Sequence, residues 1–384
     1  MEKKLRAMVC GCGNMGKAIV WSMVNLEFDV IALDKDSNSA QHLPQNLFDF
    51  LEVKDIEATK KALMLTKPNI VISSLPYHQT QELAFVCIEQ GIPYCDLGGS
   101  VPVSESINNK ANSLVNGNNA PVMTDLGLAP GWINILAEHG CKELRKSEIE
   151  EVKMMVGGLP KNPDNPPLNY QATWSIDGLI NEYKDKCRIL ENGNIARVDG
   201  MDGLEKINTT SLGELEAFYT SGGSSHTLNS MYERGVKNCY YKTLRYKGHC
   251  DAIKFLIRRC ELEGECLESI FTRGCRDKNP TQHRTTDLVI MKVTIKGKES
   301  SWEKELLIPQ SQIFTGMQKA TAFPIASVAR MMAEGKLTGD KDQHRDYHTQ
   351  FPKTLSYKDI DYDEFNKNIN FLRETIKDSP YEVS

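Results

Sequence analysis

The chain has 384 residues, 40% of them hydrophobic, which is enough for two or three domains with ordinary apolar cores and no need of disulfide staples. Its 46 Lys and Arg against 51 Asp and Glu leave a formal charge of −5, so neither nucleic acid nor an anionic membrane surface is expected as a partner. No long apolar run reads as a membrane span, and Met1-Glu2-Lys3-Lys4 leads straight into a strand pattern rather than a signal-peptide core, so a cytoplasmic protein is expected.

Arg6–Cys10 reads as a strand buried on both faces, and Gly11-Cys12-Gly13-Asn14-Met15-Gly16 follows it directly. Ile19, Val20, Met23 and Val24 then recur at helical spacing. Strand, G-x-G-x-x-G and helix in that order make a dinucleotide-binding turn. Gly11 permits the turn, Gly13 lets the backbone approach a pyrophosphate, and Gly16 lets helix and strand pack closely, with the phosphates on free N–H groups at the positive helix end. A second strand, Asp29–Leu33, ends in Asp34, where a carboxylate accepts from both ribose hydroxyls. Its charge repels a 2′-phosphate, so NAD is expected over NADP, although Lys35 beside it weakens the argument. The expected cofactor residues are Gly11, Cys12, Gly13, Asn14, Met15, Gly16 and Asp34, joined by Leu75 and Pro76 at the exit of a later strand.

Further along, the pattern predicts a strand at Phe48–Val53, a helix at Glu57–Leu65, a strand at Asn69–Leu75, a helix at Gln79–Gln90 ending on Gly91, and strands at Pro93–Asp96 and Ala120–Asp125. This alternation implies an open parallel sheet in a domain of residues 1–125, completed by about 316–384. The period then changes. Val152–Val156, Cys187–Asp199 around Asn192-Gly193, Tyr240–Tyr246, and Leu288–Ile308 around Lys296-Gly297 read as strands and hairpins. Helices are expected at Trp132–Glu138, Leu179–Tyr183 and Asp251–Leu262. Residues 126–315 therefore form a second domain, for substrate binding and oligomerisation. The fold class is α/β: a Rossmann-type parallel sheet domain plus a second α+β domain with a mainly antiparallel sheet. Its exposed strands suit self-association into a homo-oligomer, a dimer or higher. Gly316–Met332 reads as a helix with a small-residue face, and a polar tail from Thr338 precedes an amphipathic segment at Phe365–Ile376. The eleven cysteines lack a paired C-x-x-C arrangement and the eight histidines are dispersed, so reduced thiols and no metal site are expected.

Several stretches together resemble the saccharopine dehydrogenase-like family, and most closely its lysine 6-dehydrogenase branch, over about residues 5–337. They are Val9–Gly16, Ser73–Tyr77, Tyr94–Gly99, Asp125–Gly131, Gly157–Pro160, Asn165–Glu182, Gly213–Ser225 and Leu244–His249. The resemblance implies oxidation of the side-chain amine of L-lysine or a close analogue by NAD⁺, giving an imine that hydrolyses to the semialdehyde and ammonia. Saccharopine and carboxynorspermidine reductases, which act on a secondary amine and often use NADPH, are the alternative within the family. A non-catalytic, regulatory NAD-binding protein is the alternative outside it.

Amine oxidation asks for a neutral nitrogen, and at pH 7 an amine with a free pKa of about 10.4 costs roughly 4–5 kcal/mol to neutralise. Carboxylates at the cofactor edge of the sheet are therefore the catalytic candidates. Asp96 and Asp125 both follow strands there, and either suits a base or, alternatively, a turn or helix-capping residue. Gly98 and Gly99 let a substrate approach the backbone. His249 is a further acid–base candidate, or a structural histidine. Arg245 offers a planar guanidinium for a substrate carboxylate, and Trp174 a pocket wall; the plainer readings are a strand arginine and a core tryptophan.

Overall fold

The computed structural model describes residues 4–41, 43, 44, 46–113, 120–144, 148–163, 167–172, 174–275, 286–337 and 354–378. The chain forms two compact units. One comprises Met1–Ile135, Gln312–Phe314 and Gln318–Ser384; the other comprises Leu136–Ser311 and Thr315–Met317.

In the first unit, β1 (Arg6–Cys10), α1 (Asn14–Asn25), β2 (Asp29–Asp34), β3 (Asp49–Glu52), α2 (Ile56–Thr66), β4 (Ile70–Ser73), α3 (Tyr77–Gln90), β5 (Tyr94–Asp96), α4 (Val101–Ser113) and β6 (Val122–Met123) alternate along the chain. The six strands pair in the order β3-β2-β1-β4-β5-β6, all parallel. The middle of β1, Ala7-Met8-Val9, is fully enclosed, as a strand covered on both faces must be. Chain order reverses between β1 and β4, so the carboxyl ends of these two strands flank the crevice where open sheets of this kind take ligands. Helix α4 is not anticipated by the sequence pattern, because Val101-Pro102-Val103 looks extended. Proline is nevertheless compatible with a first helical turn, where the missing N–H has no intrahelical acceptor.

Helix α5 (Trp132–Glu143) leaves the first unit, and β7 (Ile149–Pro160), α6 (Ile176–Lys184), β8 (Cys187–Glu191), β9 (Asn194–Val198), β10 (Glu205–Thr209), β11 (Gly213–Tyr219), α7 (Thr227–Glu233), β12 (Asn238–Arg245), α8 (His249–Lys254), α9 (Gly264–Gly274), β13 (Asp287–Gly297) and β14 (Ser301–Pro309) follow. The sheet of the second unit runs β10-β11-β12-β7-β13-β14, with β8 touching β12 and carrying β9. All of its pairs are antiparallel except β7 with β12. The sheet is thus mixed and mainly antiparallel. Two further strands, β10 (EKINT) and β11 (GELEAFY), are not among the expected ones; β11 buries Leu215, Ala217 and Phe218. The helix expected over Asp251–Leu262 instead starts earlier and passes into a π-helical turn at Phe255–Arg259, with Phe255 largely exposed. That turn marks an insertion-like irregularity at the end of α8.

The chain returns to the first unit through α10 (Gly316–Ala333), which accommodates Pro324, and ends in α11 (Tyr362–Asp378). Phe365, Ile369, Leu372 and Ile376 are buried at helical spacing along α11. The polar stretch 338–353 lies outside the described residues. Just after it, Thr354 bridges Val122 of β6, and Leu355 N–H donates to Val122 O at 2.8 Å. The tail thereby covers the open edge of the parallel sheet.

Candidate active site

The glycine turn is shaped by close packing on one side and open space on the other. A Cβ at Gly16 would stand 1.8 Å from Gly11 O, so only glycine fits there. A Cβ at Gly13, whose φ of −64° suits any residue, meets nothing within 4 Å. Gly13 also precedes the first turn of α1, which no side chain caps, so its N–H groups face an open cradle that suits a pyrophosphate. Gly13→Ala is accordingly expected to leave urea stability within about 1 kcal/mol of the parent while weakening NADH and NADPH binding at least tenfold in fluorescence titrations. Gly16→Ala, which forces helix from strand, should cost roughly 3 kcal/mol of stability.

Asp34, at the end of β2, accepts from Cys12 N–H at 2.6 Å and from Asp36 N–H at 3.0 Å. Leu75 touches the same turn, its Cδ2 lying 3.2 Å from where a Gly11 Cβ would be, and Pro76 immediately precedes α3. Asn14 O accepts from Gln318 Nε2 at 2.8 Å, which ties α10 to the turn. Burial pushes the Cys12 thiol up to about 12, Asp34 adding to the effect, so Cys12 is an inert small residue beside the loop.

At the carboxyl ends of β5 and β6 two buried carboxylates meet. Asp96 Oδ1 accepts from Gly98 N–H at 2.8 Å and Asp125 N–H at 3.1 Å, while Asp96 Oδ2 is buried with no hydrogen-bond partner among the described residues. Burial, followed by the charge of Asp125, pushes the Asp96 carboxyl up to about 7, against the pull of those two N–H donors. Asp125 sits in the left-handed region at φ 65°, an uncommon conformation for a non-glycine residue and one that functional sites favour. Ser104 Oγ donates to its Oδ1 at 2.7 Å, and the buried Tyr357 hydroxyl donates to its main-chain oxygen at 2.7 Å. A Cβ at Gly98 would lie 2.2 Å from Asp125 Oδ1, so Gly98 is glycine in order to admit that carboxylate. Gly99, with φ of 119°, extends the same turn.

The second unit gathers Trp174, Tyr170, Arg245, Tyr183 and His249. Arg245, at the end of β12, is 3% exposed; its Nε donates to Tyr183 OH at 3.1 Å and its Nη1 to Leu244 O at 2.9 Å. The guanidinium lies 4.3 Å from the centroid of the Tyr170 ring, whose hydroxyl accepts from Trp174 Nε1 at 3.1 Å. His249 Nδ1 stands 2.7 Å from Leu168 O and must donate to it, so Nε2 accepts from Tyr183 OH at 2.9 Å. Enclosure, and then the nearby Arg245 charge, hold the imidazole down to about 3. It is neutral at physiological pH with both nitrogens engaged, a geometry that suits orienting Tyr183 and Arg245 more than exchanging protons. Glu182, on α6, belongs to the same neighbourhood, and burial pushes its carboxyl up to about 7 against the opposing pull of Arg245.

The profile of the saccharopine dehydrogenase NADP binding domain matches residues 7–120, and that of the saccharopine dehydrogenase C-terminal domain matches residues 127–351. The chain belongs to the saccharopine dehydrogenase family. It is 27% identical over 169 residues to saccharopine dehydrogenase (NADP+, L-glutamate-forming) of Schizosaccharomyces pombe, a stretch covering 42% of this chain and 36% of that protein. It is 23% identical over 270 residues to the mitochondrial alpha-aminoadipic semialdehyde synthase of Rattus norvegicus, covering 67% of this chain and 28% of that one. These matches therefore span well under half of either relative's length. The solved apo histidine-tagged saccharopine dehydrogenase (L-Glu forming) from Saccharomyces cerevisiae shares the fold at a TM-score of 0.70 with 16% identity, over 97% of both chains.

These findings support a pyridine nucleotide domain but not the expected preference for NAD, since the matching profile is described as NADP binding and the S. pombe relative's name carries NADP+. The physical reason is visible at Asp34. Its carboxylate is already turned to the backbone N–H groups of Cys12 and Asp36, so a strand-end acid in this family member serves the loop itself and does not by its presence exclude a 2′-phosphate. Glu182, Tyr183 and Tyr170 are not singled out by the sequence pattern. The one signal available for them is their place within the Asn165–Glu182 stretch and the helix beside it; Asn165 itself lies outside the described residues.

Proposed function

We propose that the protein is a pyridine-nucleotide-dependent oxidoreductase acting at the CH–N bond of a lysine-derived amino acid. Family membership supports this, and one local feature carries it: Asp96, a buried carboxyl raised to about 7 with one oxygen unpartnered, at the carboxyl edge of a dinucleotide-type sheet. The turn Gly11–Gly16, with Leu75, Pro76 and Asp34, would hold the nucleotide, and the open face at Gly13 fits its pyrophosphate. When bound, the nucleotide supplies the two-electron acceptor for oxidation of the carbon next to nitrogen.

The chain's own part is to prepare that nitrogen. Asp96 Oδ2 takes the ammonium proton, leaving the lone pair free to push as the carbon is oxidised. Asp125 keeps the proton affinity of Asp96 high, and Gly98 gives the Asp125 carboxylate its room there. Within the second unit, Arg245, fixed by Tyr183 and Tyr170, offers its guanidinium to a carboxylate ligand, while Trp174 and His249 hold those aromatic partners in place.

Two donors suit this machinery. The names of the curated relatives favour a secondary amine, saccharopine; the primary amine of L-lysine is the donor that the sequence resemblance implies. Incubation with NAD⁺ or NADP⁺ and either compound, with absorbance, ammonia and glutamate followed together, separates them. Reduced nucleotide with equimolar ammonia from lysine identifies the primary-amine reaction, and reduced nucleotide with glutamate from saccharopine the secondary-amine one. No reduction of either nucleotide by either compound would overturn the proposal.

A further inference from the structure

The peptide unit that joins Asp125 to Leu126 is gripped from both ends. Its N–H, that of Leu126, donates to Asp96 O at 2.8 Å, and its carbonyl, Asp125 O, accepts from the Tyr357 hydroxyl at 2.7 Å. One step earlier, Asp125 N–H donates to Asp96 Oδ1 at 3.1 Å, and Ser104 Oγ donates to Asp125 Oδ1 at 2.7 Å. Among these contacts Asp125 keeps a φ of 65°, a costly conformation for a residue with a Cβ and one that lasts only where the surroundings impose it. Three of the four contacts come from β5 and α4. The fourth comes from a tail residue 232 positions away.

The segment that carries Tyr357 is itself tied down. Leu355 N–H donates to Val122 O at 2.8 Å, and Thr354 Oγ1 donates to Asn112 Oδ1, on α4, at 3.2 Å. Ser356 N–H and Oγ both donate to Asp359 Oδ2, at 2.8 and 3.0 Å, in a capping box around the single turn Tyr357–Asp359. Tyr357 is 4% exposed. Covering the edge of the sheet asks only for the Leu355 contact; it does not ask for a buried hydroxyl aimed at the carbonyl beside a carboxylate pair.

We propose that Tyr357 is a positioning residue for the Asp96–Asp125 pair: its hydroxyl holds the Asp125–Leu126 peptide, and with it the Asp125 carboxylate, against Asp96. This rests on the reading that Asp96 is the base, and it gives a part in that site to a segment lying beyond residue 351, where the second family profile ends. The titratable groups about Asp96 are Tyr94 and Cys95 on its own strand and Asp125 beyond β6, while α4 and the tail bring the hydroxyls of Ser104 and Tyr357 to Asp125.

Tyr357→Phe, which removes one oxygen and keeps the ring, is the test. The readout is infrared titration of the full chain from about pH 5 to about pH 9, following the C=O stretch of the protonated Asp96 carboxyl, identified by its loss in Asp96→Asn. In the parent the midpoint should fall at about 7. In Tyr357→Phe the Asp125 carboxylate is released from Asp96, so the midpoint should drop by about half a pH unit or more, toward that of Asp125→Asn. Thr354→Ala loosens the same tail at α4 without touching Asp125; it should lower Tm at most and leave the midpoint in place. A Tyr357→Phe midpoint that is unmoved or raised, or a drop that Thr354→Ala reproduces, would make the tail a strut and overturn the proposal. Turnover assays run beside the titrations distinguish the two failures. A lowered midpoint in a chain that oxidises neither lysine nor saccharopine contradicts the proposed reaction alone, and a chain that oxidises either one with its midpoint insensitive to Tyr357 contradicts the positioning role alone.

Discussion

Asp96→Asn should slow amine oxidation by about 10²–10⁴-fold in kcat and at the same time make the protein more stable above neutral pH. Both effects follow from one arrangement. Asparagine keeps an acceptor for the N–H groups of Gly98 and Asp125, so the turn survives. It removes the unpartnered acid that the folded chain holds at about 7 against an ordinary value of 3.8. The sign is that of a raised acid. Between those two values the folded state keeps a proton that the unfolded chain has lost, so stability falls as pH rises through the window, by roughly 4 kcal/mol in all. The parent's Tm should therefore decline from pH 5 to pH 8 by several degrees more than the variant's. In the parent, kcat/KM should climb through pH 7 as Asp96 ionises, and the variant should lose that limb. His249, held near 3, contributes no limb in this range. A variant with the parent's pH profile, or one less stable than the parent at pH 8, would remove Asp96 from the base role. Of the groups that act on this carboxyl, the Tyr94 hydroxyl pulls it down, and only the charge of Asp125 adds to the upward push of burial. Asp125→Asn should therefore shift the limb downward rather than abolish it.

The nucleotide-binding half of the molecule is legible in the amino-acid sequence because its information is local. Gly11–Gly16 follow a strand and open a helix within one continuous segment, and the hydrophobic runs of β1, β2 and β4 announce a sheet covered on both faces. Asp96 and Asp125 are identifiable as strand-end acids for the same reason. Their difference is not legible, since it depends on contacts between residues 29 apart in sequence and on Tyr357, 232 residues away, reaching the Asp125 main chain. The tail is thus chemically silent as a sequence, yet its Tyr357 hydroxyl reaches the Asp125 main chain and Leu355 covers a strand edge. In the second unit Arg245 and His249 stand out by residue type, but the partners that define them, Tyr183, Tyr170 and Leu168, lie more than 60 residues upstream. Glu182 is masked by its own surroundings. On a helix whose neighbours at 181 and 184 are exposed, one more acid reads as surface.

Arg245→Lys should raise KM for the amino-acid substrate by about 10²-fold or more and change kcat much less. Lysine keeps the charge, so the outcome isolates geometry from electrostatics. The guanidinium carbon lies over the Tyr170 ring, and the group is bonded through Nε to Tyr183 and tied through Nη1 to Leu244 O, which fixes it for a carboxylate. An ammonium on a flexible stem cannot reproduce the stack or the fork, and losing one member of a buried charge-assisted pair costs about 2–5 kcal/mol of binding. Arg245→Met goes further. With no carboxylate within ion-pairing distance among the described residues, the folded chain loses an uncompensated buried cation and gains a side chain of similar length, so its Tm should hold or rise while binding of lysine and saccharopine disappears. Stability and affinity moving in opposite directions is the signature of a charge kept for a ligand. If Arg245→Met instead unfolds the protein, or if Arg245→Lys lowers kcat with KM unchanged, the guanidinium serves the fold or the chemical step, and the carboxylate must be held elsewhere.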